Sequence, residues 1–153
     1  MKYTSYLSSA KRHSHACQAL IEKINILIGQ DDRIEERNFL VLSLYYLSGY
    51  IVECSLKFKI FEVSNYDENI EISDHECRIL GINYKKDIRI HDFSKLQDFI
   101  DSLNIDISYT SGNNDIDILL NNWKPDVRYE HSNLDYESIY KMYQHTVQFL
   151  RKM

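Results

Sequence analysis

The sequence predicts an all-α fold: an up-and-down helical bundle of four long helices plus one or two short ones. Three observations carry this. Glycine and proline are scarce, four and one in 153 residues, too few for the turns of a many-stranded sandwich. Apolar residues recur at three- and four-residue spacing through several separate segments. Hydrophobic residues make up 44% and charged residues 27%, the balance of a globular chain and not of a disordered one. A chain of this length fits one domain, residues 1–153, with a core large enough to need no disulfide or metal.

The first helix is expected from about Tyr3 to Ile28, with Leu7, Ala10, Cys17, Leu20, Ile21 and Ile24 on its apolar face. Gly29-Gln30-Asp31-Asp32 supplies a stop and a new N-cap. The second helix, about Arg33 to Val63, is the most apolar and reads as the central one, covered on more than one side. Gly49 inside it costs ~1 kcal/mol relative to alanine, which points to close approach of a neighbouring helix. Ser73-x-x-Glu76 is a capping-box pattern for a short helix ending near Gly81. A helix follows from Asp92 to Leu103, with Phe93, Leu96, Phe99, Ile100 and Leu103 facing inward. A turn at Ser111-Gly112-Asn113-Asn114 precedes a short helix from Asp115 to Asn122, which Lys124-Pro125 breaks. The last helix, about Asp135 to Arg151, carries Tyr136, Ile139, Tyr140, Tyr143, Val147 and Leu150 as its apolar stripe. No repeat, low-complexity segment or linker interrupts the chain.

The net charge of -5 excludes a generally basic nucleic-acid-binding surface, so any RNA contact is a local patch on an acidic body. Three widely spaced cysteines, Cys17, Cys54 and Cys77, predict a reducing compartment without disulfides. Met1 to Ala10 lacks the apolar region of a signal peptide, and no apolar run approaches the ~20 residues that span a bilayer. The expected location is therefore the cytoplasm, with no membrane partner.

The central helix reads Tyr45-Tyr46-Leu47-Ser48-Gly49-Tyr50-Ile51-Val52-Glu53-Cys54-Ser55-Leu56-Lys57. With His91-Asp92-Phe93 and Trp123-Lys124-Pro125-Asp126-Val127-Arg128-Tyr129 downstream, it resembles the HEPN family, many of whose bacterial members carry Tyr-x-x-Gly-Tyr-x-x-Glu-x-x-Leu-Lys in the second helix. The resemblance implies a helical bundle, often dimeric, that works on or near nucleotides and RNA. Many relatives are ribonucleases of toxin–antitoxin or antiviral systems, and others are non-catalytic binding or assembly modules. The ribonucleases carry an arginine and a histidine separated by four to six residues. Here no arginine has a histidine five to seven positions downstream; two shorter spacings are Arg89-Ile90-His91 and Arg128-Tyr129-Glu130-His131.

The candidate catalytic pair is Arg128 and His131. On a helix that begins early they share a face at i and i+3, so Arg128 holds a phosphate and His131 moves a proton. The competing reading pairs Arg128 with Glu130 or another acid to fix the loop and leaves His131 solvated. Lys85, Lys86, Arg89 and Lys124 are the candidate nucleic-acid contacts, with Tyr84, Tyr129 and Trp123 near enough in sequence to stack bases. Against that, a short charge cluster is usually a solvated face, and the net acidity favours that reading. Glu53 and His91 are expected to be structural or orienting residues, Glu53 at i+4 from Gly49 and four before Lys57. His13, His15 and Cys17 do not make a four-ligand metal set, so no metal or cofactor is expected. The functional expectation is a HEPN-like nucleic-acid- or nucleotide-associated module. It would act as a homodimer or in complex with a defence or antitoxin protein. The alternative is a metal-independent endoribonuclease with a rearranged Arg/His site.

Overall fold

The computed structural model describes residues 1–130 and 133–153. Six α-helices carry the fold: α1 (Thr4–Leu27), α2 (Ile34–Val63), α3 (Asp74–Ile79), α4 (Phe93–Ser102), α5 (Asn114–Asn122) and α6 (Tyr136–Leu150). A π-helical turn covers Tyr84–Ile88, and 3-10 turns cover Asp31–Arg33 and Pro125–Tyr129. No strand occurs among the described residues. The all-α bundle is as the composition predicts.

The helices begin where short polar side chains can satisfy their free N–H groups. Ser73 accepts from the Glu76 amide at 3.2 Å, Asp92 from Lys95 at 3.1 Å, Asn113 from Asp115 at 3.0 Å and Asp135 from Ser138 at 2.9 Å. Gly29 follows α1 with φ +84° and Gly81 follows α3 with φ +75°, backbone angles that glycine adopts without strain.

Helix α2 is the axis of the bundle. Its apolar residues face every direction, and α1, α6 and α4 pack around it. Tyr3 stacks on Phe58 and Phe61 with ring centroids 5.6 and 5.8 Å apart, and Cys17 Sγ lies 3.9 Å from Ser48 Oγ, so α1 and α2 are antiparallel. Tyr136 reaches Asn25 and Tyr143 reaches the Ser14 carbonyl, which sets α6 antiparallel to α1 and parallel to α2. Tyr45 donates to the Leu119 carbonyl at 2.7 Å and ties α5 to α2. By length and composition the stretch Asp31–Val63 is apolar enough to cross a bilayer, against the sequence expectation. Here 61% of its most apolar window is buried in the bundle, the position of a core helix.

Two core faces differ from those expected. In α6 the buried residues are Ile139, Met142, Tyr143, Thr146 and Phe149, whereas Tyr136, Tyr140, Val147 and Leu150 are half-buried. Tyrosine satisfies the rim as well as the core, so the face turns toward Met142 and Phe149. The buried Thr146 hydroxyl donates to the Tyr143 carbonyl at 2.8 Å. In α4 Gln97 is buried while Leu103 is exposed. The Gln97 amide donates to the Ile107 carbonyl and accepts from the Tyr109 amide, anchoring the segment that leads to α5.

Candidate functional site

Tyr46, Tyr50, Glu53 and Lys57 fall at i, i+4, i+7 and i+11 on α2, one stripe of its surface about 16 Å long at ~1.5 Å per residue. The three sequence pieces that carry the family resemblance meet on this stripe. Trp123 lies against Gly49, where an added Cβ would overlap the indole. Its Nε1 donates to the Tyr46 carbonyl at 3.2 Å, and its ring stacks on Phe93 at 5.0 Å, 13° from parallel. The close approach that Gly49 permits is thus that of an indole from the segment after α5, not of a neighbouring helix. Gly49 is the residue type required, because any side chain would occupy the space of the ring.

Glu53 is 4% exposed and uses both carboxylate oxygens: Oε1 accepts from Lys57 Nζ at 2.8 Å and Oε2 from His91 Nδ1 at 2.7 Å. The buried carboxylate is therefore paired, as burial of a charge requires. The Lys57 ammonium also lies 5.9 Å from the centre of the Tyr6 ring. His91 itself is about half exposed. Glu53 and His91, expected as structural or orienting residues, are in contact, and Lys57 is the second partner of the carboxylate.

Arg128 stands at the other end of the stripe. Nη1 donates to the Tyr46 hydroxyl at 3.2 Å, and the guanidinium lies 4.6 Å from the Tyr129 ring centre and 5.9 Å from that of Tyr46. It makes no ion pair among the described residues, so the expected alternative pairing with Glu130 is not the geometry found. The 3-10 turn that holds Arg128 ends at Tyr129, and Glu130 is extended, so α6 does not begin early. The shared-face argument for Arg128 and His131 therefore has no continuous helix beneath it. His131 lies outside the described residues.

The basic candidates divide. Lys124 is exposed beside Trp123, on the stripe's side of the molecule. Lys85, Lys86 and Arg89 are exposed on the π turn. Tyr84 of that turn neighbours the Tyr6 hydroxyl near Lys57, about 16 Å along α2 from the Tyr46 level where Arg128 sits. Lys85 and Lys86, beside Tyr84, therefore lie toward the Lys57 end of the stripe and Lys124 toward the Tyr46 end.

Sequence reasoning quoted Tyr46 and Tyr50 only as part of the family pattern and did not single them out as site residues. The signal available was the i, i+4, i+7, i+11 register of polar and aromatic residues on an otherwise apolar helix. Tyr50 is enclosed by Tyr46, Trp123, His13 and His91, with ring centroids 5.0, 5.0, 5.5 and 6.5 Å away. Burial and the adjacent Tyr46 hydroxyl push its pKa upward, so it stays a neutral phenol. Burial pushes the Cys17 and Cys54 thiols up to about 12, which keeps them protonated. The His13 ring lies against Tyr50 at a tilt of 34°, and no group of three His, Cys, Asp or Glu side chains suited to a metal occurs among the described residues.

Burial and the neighbouring Arg12 lower the His13 pKa from 6.5, with Glu53 opposing. The sign follows directly. Below pH 6.5 the unfolded chain takes up this proton more readily than the folded one, so stability falls as pH drops from 6.5 toward the folded pKa. His13→Gln is expected to reduce the difference in urea midpoint between about pH 7.5 and pH 5.5. An identical difference in wild type and variant would show that His13 does not contribute.

Compared with family models, with curated proteins and with solved structures, the chain matches none. The class defined by the fold is an all-α helical bundle with a polar and aromatic stripe on its central helix.

Proposed function

We propose that the chain is a HEPN-like module that associates with RNA or nucleotides in the cytoplasm, as a homodimer or as a subunit of a bacterial defence or toxin–antitoxin assembly. The observation that carries the reading is the convergence on one face of α2 of an arginine with no ion pair among the described residues, a cluster of edge-on aromatic rings and a histidine held by a carboxylate. Arginine held over an aromatic ring is suited to a phosphate beside a stacked base. The four candidate lysine and arginine contacts extend this face at its two ends. Association is supported by a groove of about 470 Å³ beside Arg128, where Phe39 is 55% and Tyr129 69% exposed.

Fluorescence anisotropy with a short single-stranded RNA tests this directly. Arg128→Ala is expected to weaken binding roughly tenfold and to reduce the salt slope by about 0.7. Sedimentation of the same protein is expected to show a dimer or a stable hetero-complex. A monomer without RNA affinity at low salt would remove the proposal.

One observation favours the second reading, a metal-independent endoribonuclease. His91 is oriented by a buried carboxylate, as a proton-transferring imidazole is in many active sites. RNA cleavage in EDTA, lost in Arg128→Ala and in His131→Ala or His91→Gln, would select it. Cleavage indifferent to all three would assign the activity to a contaminant.

A further inference from the structure

Helix α3 and the π turn that follows it carry exposed cations and exposed aliphatic side chains together. The helix ends in a tight turn: the Gly81 amide donates to the Arg78 carbonyl at 3.1 Å and the Ile82 amide to the Cys77 carbonyl at 2.9 Å. Cys77 and Ile82 anchor this turn in the core, and the apolar residues between them stay outside, Ile79 65% and Leu80 37% exposed. The π turn is framed by its own side chains. Asp87 accepts from the Asn83 amide at 2.7 Å, Asn83 Oδ1 accepts from the Lys86 amide at 3.2 Å, and Ile88 is buried. Asp87 is thus engaged by backbone, and Lys85 and Lys86 are exposed with no ion pair among the described residues. Arg78 is exposed and likewise without one; its Nε donates to the Asp74 carbonyl at 3.1 Å. Arg78 and Lys85 line one groove of about 250 Å³ with Asp74, Asn83 and Tyr84. That is smaller than a typical small-molecule site and has room for a side chain of a partner.

We propose that this surface docks an acidic, aliphatic segment of a partner polypeptide. A glutamate or aspartate of the segment enters the groove and accepts from Arg78 and Lys85. An adjacent leucine or isoleucine covers Ile79 and Leu80. Charge complementarity selects the partner, because Arg78, Lys85 and Lys86 stand together on a chain of net charge -5. The exposed carbon is aliphatic, which suits a leucine; base stacking uses aromatic faces. Asp74 on the same groove disfavours a continuous anionic sheet such as a bilayer, whereas a peptide can place an amide there. The proposal goes beyond the RNA reading, which rests on Arg128 at the other end of the stripe.

The test is an NMR titration of the isotope-labelled whole chain with the peptide Glu-Glu-Leu-Leu-Glu-Glu. The backbone amides from Arg78 to Lys86 are expected to move, and Glu-Glu-Ser-Ser-Glu-Glu to bind about fivefold more weakly. Arg78→Ala and Lys85→Ala are each expected to weaken binding about threefold, as loss of an exposed ion pair does. Ile79→Ser/Leu80→Ser is expected to weaken the peptide while leaving the affinity for single-stranded RNA unchanged, so failure of this surface and failure of the RNA reading are distinguishable. Unmoved amides at millimolar peptide would overturn the proposal, as would equal affinity for the serine peptide. Tighter binding of oligouridylate or of phosphatidylglycerol vesicles at these residues would also overturn it, in favour of a nucleic-acid or a membrane contact.

Discussion

Glu53→Ala is expected to destabilise the protein by about 3–5 kcal/mol, the range for removing one partner of a buried ion pair. Both Glu53 oxygens are engaged, and the Lys57 side chain that remains is only 6% exposed. With the carboxylate gone its ammonium would keep only the face of Tyr6, 5.9 Å away, as compensation. For a domain of this size the melting temperature should fall by roughly 6–20 °C. Lys57→Met should also destabilise, because it strips Glu53 of its full positive partner. The double variant Glu53→Leu/Lys57→Met is expected to lie much nearer wild type, since a packed apolar pair replaces two buried charges. Urea unfolding of wild type, Glu53→Leu, Lys57→Met and the double variant closes the cycle. A Glu53→Ala change below about 1 kcal/mol would mean that the pair is hydrated in solution and behaves as a surface one. His91 adds a separate readout: freed from Glu53, its ring loses the contact that holds Nδ1.

The bundle was legible because its determinants are local. Apolar spacing placed α1, α2, α4 and α6 to within a residue or two, and the residues at Ser73, Asp92 and Asp135 mark true helix starts. The face of α6 was less legible. Six of the apolar residues competing there admit two overlapping stripes, and tyrosines count toward both because each has an apolar ring and a polar tip. Gln97 shows the same limit from the polar side: its burial depends on backbone groups at Ile107 and Tyr109 that no helical period reveals. The site was legible as pieces and not as an arrangement. Glu53 and His91 are 38 residues apart and Tyr46 and Trp123 are 77 apart, so their contacts are set by packing and not by spacing. The Arg128–His131 argument assumed helical geometry across residues that instead leave a 3-10 turn at Tyr129. Proline at 125 favours such a turn, and Val127 within it is buried.

Gly49→Ala sets two effects of opposite sign against each other. Alanine improves helix propensity by ~1 kcal/mol in the interior of α2. The added methyl overlaps the indole of Trp123, a rigid ring stacked on Phe93 and hydrogen-bonded to the Tyr46 carbonyl. Overpacking of a filled core costs about 1–3 kcal/mol and more where the neighbour cannot yield. The indole can yield only by giving up its stack and its hydrogen bond, so the net effect expected is destabilisation by about 2 kcal/mol or more. Trp123 is the only tryptophan in the chain, so its fluorescence reports on this contact alone. The expected emission maximum of Gly49→Ala lies to the red of wild type, as the ring moves toward water. Gly49→Ala/Trp123→Leu should recover part of the stability, because the smaller side chain leaves room for the methyl. Unchanged emission together with an unchanged urea midpoint would mean that α2 shifts instead of Trp123. The close approach would then not be what requires glycine at this position. If the emission shifts as expected, the Gly49–Trp123 contact is what brings the Pro125 turn, and Arg128 with it, to the Tyr46 end of the stripe.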